Sequence, residues 1–280
     1  MAPYAIMGVV NVTPDSFSDG GMFAGAAAAI AHAARLVEEG AVIIDVGGES
    51  TRPGAGPVPV AEELERVLPV IEGAARLSAR VSVDTMKLAV AAAAVDAGAT
   101  YVNDVSAFRH EPALAGLVAD RGLDCCLMHM LGEPRTMQAA PRYEDVVSEV
   151  KAFLEQRLAA AVAAGVPEER VQLDPGIGFG KTVAHNLELL RRLDEIVAIG
   201  RPVVLGTSRK RFIGSITGRE VAAERVHGTV ASCVLGLERG ARVFRVHDVA
   251  AVADGLAVAA ATLLRVPAEA PPSPSNRASG

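Results

Sequence analysis

Polar side chains that could bind a ligand stand at the ends of short apolar segments in this 280-residue chain. Asp84, Asn103 and Asp174 each end or follow such a segment. Their oxygens can accept hydrogen bonds from a flat ring that is rich in N–H groups. The cationic side chains after the last two segments are Arg209, Lys210, Arg245 and His247. Because Arg and Lys bind phosphate oxygens, the two sets predict a site for a nitrogen heterocycle that carries a phosphate tail.

Asn11 and a glycine-rich segment extend this set. Asn11 ends the first apolar segment, and Mg²⁺ is often held by one or two protein oxygens together with phosphates and water. Asn11 is therefore a candidate metal contact, although an Asn also suits a loop at this point. The segment GIGFGKT at 176–182 lacks the first glycine of a phosphate-binding P-loop, because Pro175 occupies that position. We interpret it as a loop that lets the backbone approach a ring, with Phe179 either on that ring or in the core.

The elements that must position these residues follow a repeated pattern of a short apolar segment, a polar or Gly-rich loop and a longer amphipathic segment. The pattern occurs eight times and predicts strands at 4–10, 41–46, 80–83, 100–103, 124–129, 171–173, 202–206 and 242–246. Predicted helices include 24–39, 60–78, 87–97, 143–164, 186–199, 224–239 and 249–264. Short segments that are apolar on both faces are typical of parallel strands covered by helices. The pattern therefore predicts an α/β fold, a (β/α)8 TIM barrel, with an open doubly wound sheet as the alternative.

A TIM barrel would bring the polar segment ends together, because the carboxyl ends of its strands meet at one mouth. Helix N-caps also favour Asp, Ser and Thr at such points, but capping alone does not explain eight polar ends. The corner after strands seven and eight often holds a phosphate, which suits the cationic set. We expect a single barrel domain at 1–266, and a disordered tail rich in Pro, Ser and Ala at 267–280.

Composition argues against several classes of protein. The formal net charge is −6, so the chain lacks the overall basic footprint of a nucleic-acid binder. No segment approaches the roughly 18 apolar residues of a membrane span, and the first residues do not resemble a signal peptide. We expect a cytoplasmic protein with small-molecule substrates and no nucleic-acid or membrane partner. The three cysteines lack metal-ligand spacing and are expected to be reduced core thiols.

The motifs resemble those of the dihydropteroate synthase family from about residue 4 to residue 265. The most specific are MGVVNVTPDSFSDGG at 7–21 and DVGGESTRPG at 45–54. The others are VDT at 83–85, NDV at 103–105, MHM at 128–130, LDPGIGF at 173–179, SRKRF at 208–212 and RVHD at 245–248. The resemblance implies a transferase of folate biosynthesis, a homodimer and a sulfonamide target. Such an enzyme condenses 6-hydroxymethyl-7,8-dihydropterin pyrophosphate with p-aminobenzoate to give 7,8-dihydropteroate and pyrophosphate.

The same resemblance implies roles for the candidate residues. Residues that would bind or line the pterin are Asp84, Asn103, Met128, Asp174, Phe179 and Lys210. Those that would hold the pyrophosphate, with Mg²⁺ bridging its oxygens, are Asn11, Arg245 and His247. The run from Ser208 to Arg211, which includes Lys210, would help form the p-aminobenzoate site, and Gly206 would also belong to the substrate site. The loops with Asp19, Thr51 and Arg52 would close over it. As pyrophosphate leaves, Arg245 and His247 would stabilise the charge on it, and Asp84 or Asp174 would stabilise the cationic ring with help from Asp19. The resemblance therefore implies Asp19, Lys210, Arg245 and His247 as the catalytic residues.

Other interpretations stay open at this point. A pterin methyltransferase of the corrinoid type would share the acidic pocket, but it has no pyrophosphate to hold. A non-catalytic pterin-binding paralogue should have lost loop or anion-binding residues, and a sugar-phosphate enzyme would not need the acidic pocket. His129 is either a packed core histidine or a catalyst, and Asp45 and Glu49 are expected to order the loop after the second strand.

Overall fold

A computed structural model of the protein describes residues 3–12, 21–50, 56–133 and 135–263, with the side chains of 21–24 excepted. The predicted end of the domain at residue 266 and the predicted tail lie outside these residues, as do Asp19, Thr51 and Arg52. None of the described helices is long and apolar enough to cross a membrane.

Eight parallel strands form the centre of the fold. They are β1 (Ala5–Asn11), β2 (Ile43–Gly47), β3 (Arg80–Asp84), β4 (Tyr101–Asp104), β5 (Asp124–Met128), β6 (Val171–Asp174), β7 (Val204–Leu205) and β8 (Val243–Val246). Their order is β6-β5-β4-β3-β2-β1-β8-β7. A bridge between Leu173 and Val203 joins the two outer strands, so the sheet closes on itself. The TIM barrel is confirmed, and the open doubly wound sheet is excluded.

Helices cover the outside of this barrel. They are α1 (Gly21–Glu38), α2 (Val60–Ala74), α3 (Leu88–Asp96), α4 (Leu114–Asp120), α5 (Val146–Ala163), α6 (Val183–Arg191), α7 (Leu193–Val197), α8 (Arg211–Thr217), α9 (Val226–Glu238) and α10 (Val249–Leu263). The prediction of one helix at 186–199 is wrong, because the chain breaks at Arg192 (φ −110°, ψ 30°) into α6 and α7. Arg192 there donates hydrogen bonds to Asp145, at 3.0 and 3.1 Å, and to Glu195.

The interior of the barrel is filled in layers. A buried apolar cluster contains Met7, Ile43, Tyr101, Cys126, Val204 and Val243. Side chains alternate between the two faces of a strand, so the residues two positions further along face the same interior, one layer nearer the carboxyl ends. These residues include Asp45, Asn103, Met128 and Arg245. The apolar layer therefore closes the barrel from below, and the layer above it, called the polar layer here, contains the charged and amide side chains of Asp45, Asn103 and Arg245.

Candidate active site

The centre of the polar layer is Asp45, which is fully buried at the middle of β2. Its carboxyl group accepts hydrogen bonds from Ser82 Oγ at 2.6 Å and from Asn103 Nδ2 at 3.0 Å. It also accepts one from Arg245 Nε at 2.6 Å. A buried carboxyl group needs such partners, because desolvation is otherwise costly. Asp45 thus fixes the side chains of Asn103 and Arg245. Asp45 was expected to order the loop after β2, but its hydrogen-bond partners among the described residues lie on β3, β4 and β8.

Arg245 bridges two carboxyl groups. Besides its bond to Asp45, it donates from Nη2 to Asp84 Oδ2 at 2.7 Å. Desolvation by burial lowers the pKa of Arg245, but the two carboxyl groups outweigh it and raise that pKa above its ordinary value. Burial raises the pKa of Asp84 to about 7, against the opposing effect of Arg245. In the sequence Arg245 was grouped with the cationic residues of the phosphate corner. Its guanidinium instead lies between two carboxyl groups, those of Asp45 and Asp84, which need a counter-charge when they are buried.

The second part of the pocket joins Asp174 to Lys210 across Gly206. Asp174, buried at the end of β6, accepts a hydrogen bond from the Gly176 N–H at 2.6 Å. A Cβ atom at Gly206 would lie 3.8 Å from Asp174 Oδ2 and 3.9 Å from Lys210 Nζ. Burial raises the pKa of Asp174 and lowers that of Lys210 to about 8. The bare backbone of Gly206 therefore leaves a space between a carboxyl group and an ammonium group.

A cluster of apolar side chains, rich in methionine, lies next to Lys210. Its buried members are Val105, Met128, Met130 and Met137, with Met86 and Phe179 packed against them. The ring centroid of Phe179 lies 4.7 Å from Lys210 Nζ, and the same ammonium donates a hydrogen bond to the Ile177 carbonyl. At Gly178 (φ +84°), a Cβ atom would lie 3.1 Å from Lys210 Cδ. The glycine loop after β6 thus lets the backbone approach Lys210 and places Phe179 at the pocket.

His247 and Ser208 form the corner after β7 and β8. Ser208 Oγ lies 3.0 Å from His247 Nδ1 and accepts the backbone N–H of His247 at 3.1 Å. Arg211 begins α8 and is exposed. Asn11 stands on the same rim, because Asn11 is paired with Gly47 and Gly47 with Asp84 in the strand ladder.

Asn11 is suited to a metal that the substrate mainly holds. It offers one neutral oxygen at the rim, and Mg²⁺ accepts few protein ligands when phosphates and water complete its shell. Within the described ranges, no group of three His, Cys, Asp or Glu side chains is placed to hold a metal. The donor set fits a metal–diphosphate complex better than a metal site built from protein alone.

Glu49 and His129 have structural surroundings. Glu49 accepts the Val58 N–H at 3.2 Å and pairs with Lys87 Nζ at 2.5 Å, so it ties together the two ends of the loop after β2, as expected. His129 is buried edge-on against Phe153, with 4.8 Å between ring centroids, and lies 2.9 Å from Lys181 Nζ. Burial lowers the pKa of His129 to about 2, which suits a neutral, packed histidine better than a proton donor.

Comparisons with known proteins agree with this geometry. The family model of the pterin binding enzymes matches residues 7–247. A dihydropteroate synthase of Neisseria meningitidis serogroup B is 48% identical over 258 residues, which cover 90% of each chain. This chain belongs to the dihydropteroate synthases. The structure of the Xanthomonas albilineans dihydropteroate synthase with 4-aminobenzoic acid has a TM-score of 0.89 at 51% identity, covering 95% of each chain. That of the Yersinia pestis dihydropteroate synthase with a sulfonamide drug has a TM-score of 0.88 at 42% identity, covering 93% of this chain and 94% of that one.

Two polar residues of this dihydropteroate synthase had no predicted place in the pocket, because Asp45 was expected only to order the loop after β2 and Ser82 was not singled out. Both lie in the middle of strands, Asp45 in β2 and Ser82 in β3, and not at their ends. The signal was present in the alternation of β2, where Asp45 follows Ile43 by two positions and therefore faces the same side. The structure brings together Asp84, Asn103, Asp174, Lys210 and Arg245 from β3, β4, β6, β8 and the loop after β7.

Proposed function

We propose that this pocket condenses 6-hydroxymethyl-7,8-dihydropterin pyrophosphate with p-aminobenzoate to give 7,8-dihydropteroate and pyrophosphate. The observation that carries the proposal is the polar layer itself, in which buried carboxyl and amide groups lie beside cationic groups at the carboxyl ends of the strands. Such a layer is costly to bury, and a ring with several N–H donors would compensate it. The 4-aminobenzoic acid bound to the Xanthomonas albilineans relative supports p-aminobenzoate as the second substrate.

The pterin ring would lie in the space next to Gly206. Asp84, Asn103 and Asp174 would accept or exchange hydrogen bonds with its nitrogen edge, and Lys210 would donate one. Met128 and Phe179 would pack on its faces, because methionine and aromatic side chains provide polarisable apolar surface. The protein would thereby fix the CH2 carbon in line with the anion corner, and orientation of this kind lowers the barrier to reaction.

The reaction would break the bond from the CH2 carbon to the diphosphate oxygen and then form a bond from that carbon to the amine nitrogen. The amine loses one proton, so the products are dihydropteroate and pyrophosphate. Arg245 and His247 would stabilise the negative charge on the leaving group. Asp84 and Asp174 would stabilise the positive charge that spreads over the ring as the C–O bond breaks. When bound, Mg²⁺ would add positive charge beside the diphosphate oxygens, with Asn11 as its protein ligand.

The remaining roles rest on the family resemblance. We propose that Ser208 and Arg211 bind p-aminobenzoate and that Asp19, Thr51 and Arg52 close over both substrates. The sulfonamide bound to the Yersinia pestis relative supports inhibition by sulfonamides, which would compete with p-aminobenzoate. We also propose that the enzyme works in the cytoplasm. We further propose that it is a homodimer, because large apolar side chains on α9 and α10 are exposed, with Leu235 52% and Val258 70% accessible.

The deciding experiment is a turnover assay with both substrates, with and without Mg²⁺ after treatment with a chelator. We expect dihydropteroate and pyrophosphate in equal amounts, with turnover lost in the chelated enzyme and restored by Mg²⁺. Pterin binding without product would favour a non-catalytic paralogue or a methyltransferase. Full turnover after chelation would contradict the metal role while leaving the reaction intact.

A further inference from the structure

The loop between β7 and α8 contains a strained backbone at Arg209. Its φ is +58°, and it is one of three non-glycine residues with positive φ in the part of the chain that the structure describes. A side chain with a Cβ atom is unfavourable in this left-handed region, whereas glycine adopts it freely. Strain of this kind persists only where the surroundings determine it, and it is often found at functional sites.

Three separate contacts hold Arg209 in this conformation. Its backbone N–H donates to Thr229 Oγ1 at 3.0 Å, and its carbonyl accepts from Arg225 Nη1 at 2.9 Å. Its guanidinium forms a two-pronged pair with Asp248, at 2.9 Å from Nε and 2.5 Å from Nη2. Thr229 is fully buried on α9. The backbone and the side chain of this single residue are therefore anchored to α9, to the turn before it and to the loop after β8.

The residues on either side of Arg209 serve different parts of the pocket. Ser208 contacts His247 through Nδ1 and the backbone N–H, which places it at the anion corner. Lys210 contacts the Ile177 carbonyl and the Phe179 ring, which places it beside the ring subsite. If residue 209 adopted the ordinary helical or extended conformation, the directions of Ser208 and Lys210 would change relative to each other.

We infer that Arg209 is a positioning residue, whose pairing with Asp248 maintains the left-handed backbone that aims Ser208 and Lys210 at the two halves of one substrate. The inference deepens the proposed function and rests on it, since the substrate in question is the pterin pyrophosphate. The alternative is an ordinary surface ion pair, which would contribute little and would be indifferent to backbone conformation.

A comparison of Arg209→Ala with Arg209→Gly distinguishes the two explanations. Both variants lose the pair with Asp248, but only Ala retains the penalty for positive φ, which corresponds to roughly a fivefold to thirtyfold shift in the population of the loop. We therefore expect kcat/KM for the pterin substrate to be lower in Arg209→Ala than in Arg209→Gly by this factor. Because glycine populates positive φ about as readily as negative φ, Arg209→Gly should lose only about twofold. Asp248→Asn, which keeps the side-chain shape, should lie between wild type and Arg209→Ala.

The matched control is Arg121, which also pairs with an aspartate, Asp96, at 2.8 Å but has an ordinary φ of −92°. At this position the Gly variant should have no higher kcat/KM or unfolding midpoint than the Ala variant, since glycine is the less favourable residue in ordinary backbone conformations. The affinity of each variant for dihydropterin pyrophosphate would be measured by calorimetric titration. The unfolding midpoint of each variant would be measured as well. Equal values for Arg209→Ala and Arg209→Gly in both kinetics and binding would overturn the inference. A wild-type enzyme that binds this ligand without turnover would overturn the proposed function instead, and the ranking of affinities would still test the positioning role.

Discussion

Replacing Arg245 by Met should destabilise the barrel as well as weaken turnover. The guanidinium is 23% exposed and pairs with Asp45, which is fully buried, and with Asp84, which is 10% exposed. Methionine would keep an apolar stem of similar reach, but it would leave both carboxyl groups without their cation. Removal of one partner from a buried ion pair costs about 3–5 kcal/mol. We therefore expect Arg245→Met to lose about 3–5 kcal/mol of unfolding free energy at pH 8.

The loss should be smaller at pH 5.5. Burial raises the pKa of Asp84 to about 7, above the value of about 3.9 in unfolded chains. Its unfavourable contribution to stability therefore grows as the pH rises from the unfolded value through 7. Without Arg245 this pKa should rise further, so that Asp84 stays neutral in the variant at pH 8 but is ionised in the wild type. The one unit between a pKa of about 7 and pH 8 corresponds to about 1.4 kcal/mol. At pH 5.5 Asp84 is neutral in both proteins, so the difference in unfolding free energy between wild type and variant should be smaller there by about this amount.

Urea denaturation followed by circular dichroism at pH 5.5 and pH 8 would measure both effects. The double variant Asp45→Asn with Arg245→Met should recover part of the loss, because it removes one of the two unpaired carboxyl groups. Arg170→Met is the control, since Arg170 pairs with Asp124 at 3.2 Å while 44% exposed, and a surface pair contributes at most about 1 kcal/mol. If Arg245→Met stayed within 1 kcal/mol of wild type at both pH values, the argument from a buried counter-charge would be refuted.

Three further predictions concern the pocket. The pH profile of kcat/KM for the pterin substrate should be bell-shaped, because activity should rise as Asp84 ionises near pH 7 and fall as Lys210 loses its proton near pH 8. Asp84→Asn should remove the acidic limb of this profile, and an unchanged acidic limb would contradict the assignment. Asp174→Asn should weaken pterin binding by roughly tenfold to a hundredfold in calorimetry, the value of a hydrogen bond to a charged group, and near-normal affinity would exclude Asp174 from the ring site. Gly206→Ala should raise the KM for the pterin substrate about tenfold, because the new Cβ atom would occupy the place proposed for the pterin ring. It should not destabilise the fold, because this atom would stay 3.8 Å or more from its neighbours. Gly116→Ala, whose Cβ atom would have nothing within 4 Å, is the control, and an equal KM in both variants would contradict the location of the ring.

Local patterns were enough to predict the fold. Each parallel strand is buried on both sides and therefore appears in the sequence as a short apolar segment, and the observed strands overlap all eight predicted ones. Gly40, Gly98, Gly165, Gly200 and Gly240 each lie just after a helix and have positive φ, which glycine adopts freely. The start of α6 also had a local signal that was missed, because Thr182 caps the helix through the His185 N–H at 3.2 Å.

Contacts between distant residues could not be predicted in this way. The break at Arg192 depends on Asp145, which lies 47 positions earlier, and no local pattern marks it. The position of Arg245 depends in the same way on Asp45, 200 positions earlier. The polar residues at strand ends identified the mouth of the barrel correctly, but which of them face each other follows only from barrel closure and register.

The charge balance of the pocket gives the proposed chemistry its physical basis. Three carboxyl groups, those of Asp45, Asp84 and Asp174, face two cationic groups, Arg245 and Lys210. Burial raises the pKa of Asp84 to about 7, so its ionised carboxyl group is unfavourable there and a positive charge placed beside it would be stabilising. A neutral ring that becomes cationic as its leaving group departs would supply this charge only in the transition state. Groups that are already oriented before the charge develops stabilise it without reorganisation. The same buried carboxyl groups that are costly to desolvate would therefore lower the barrier to C–O cleavage.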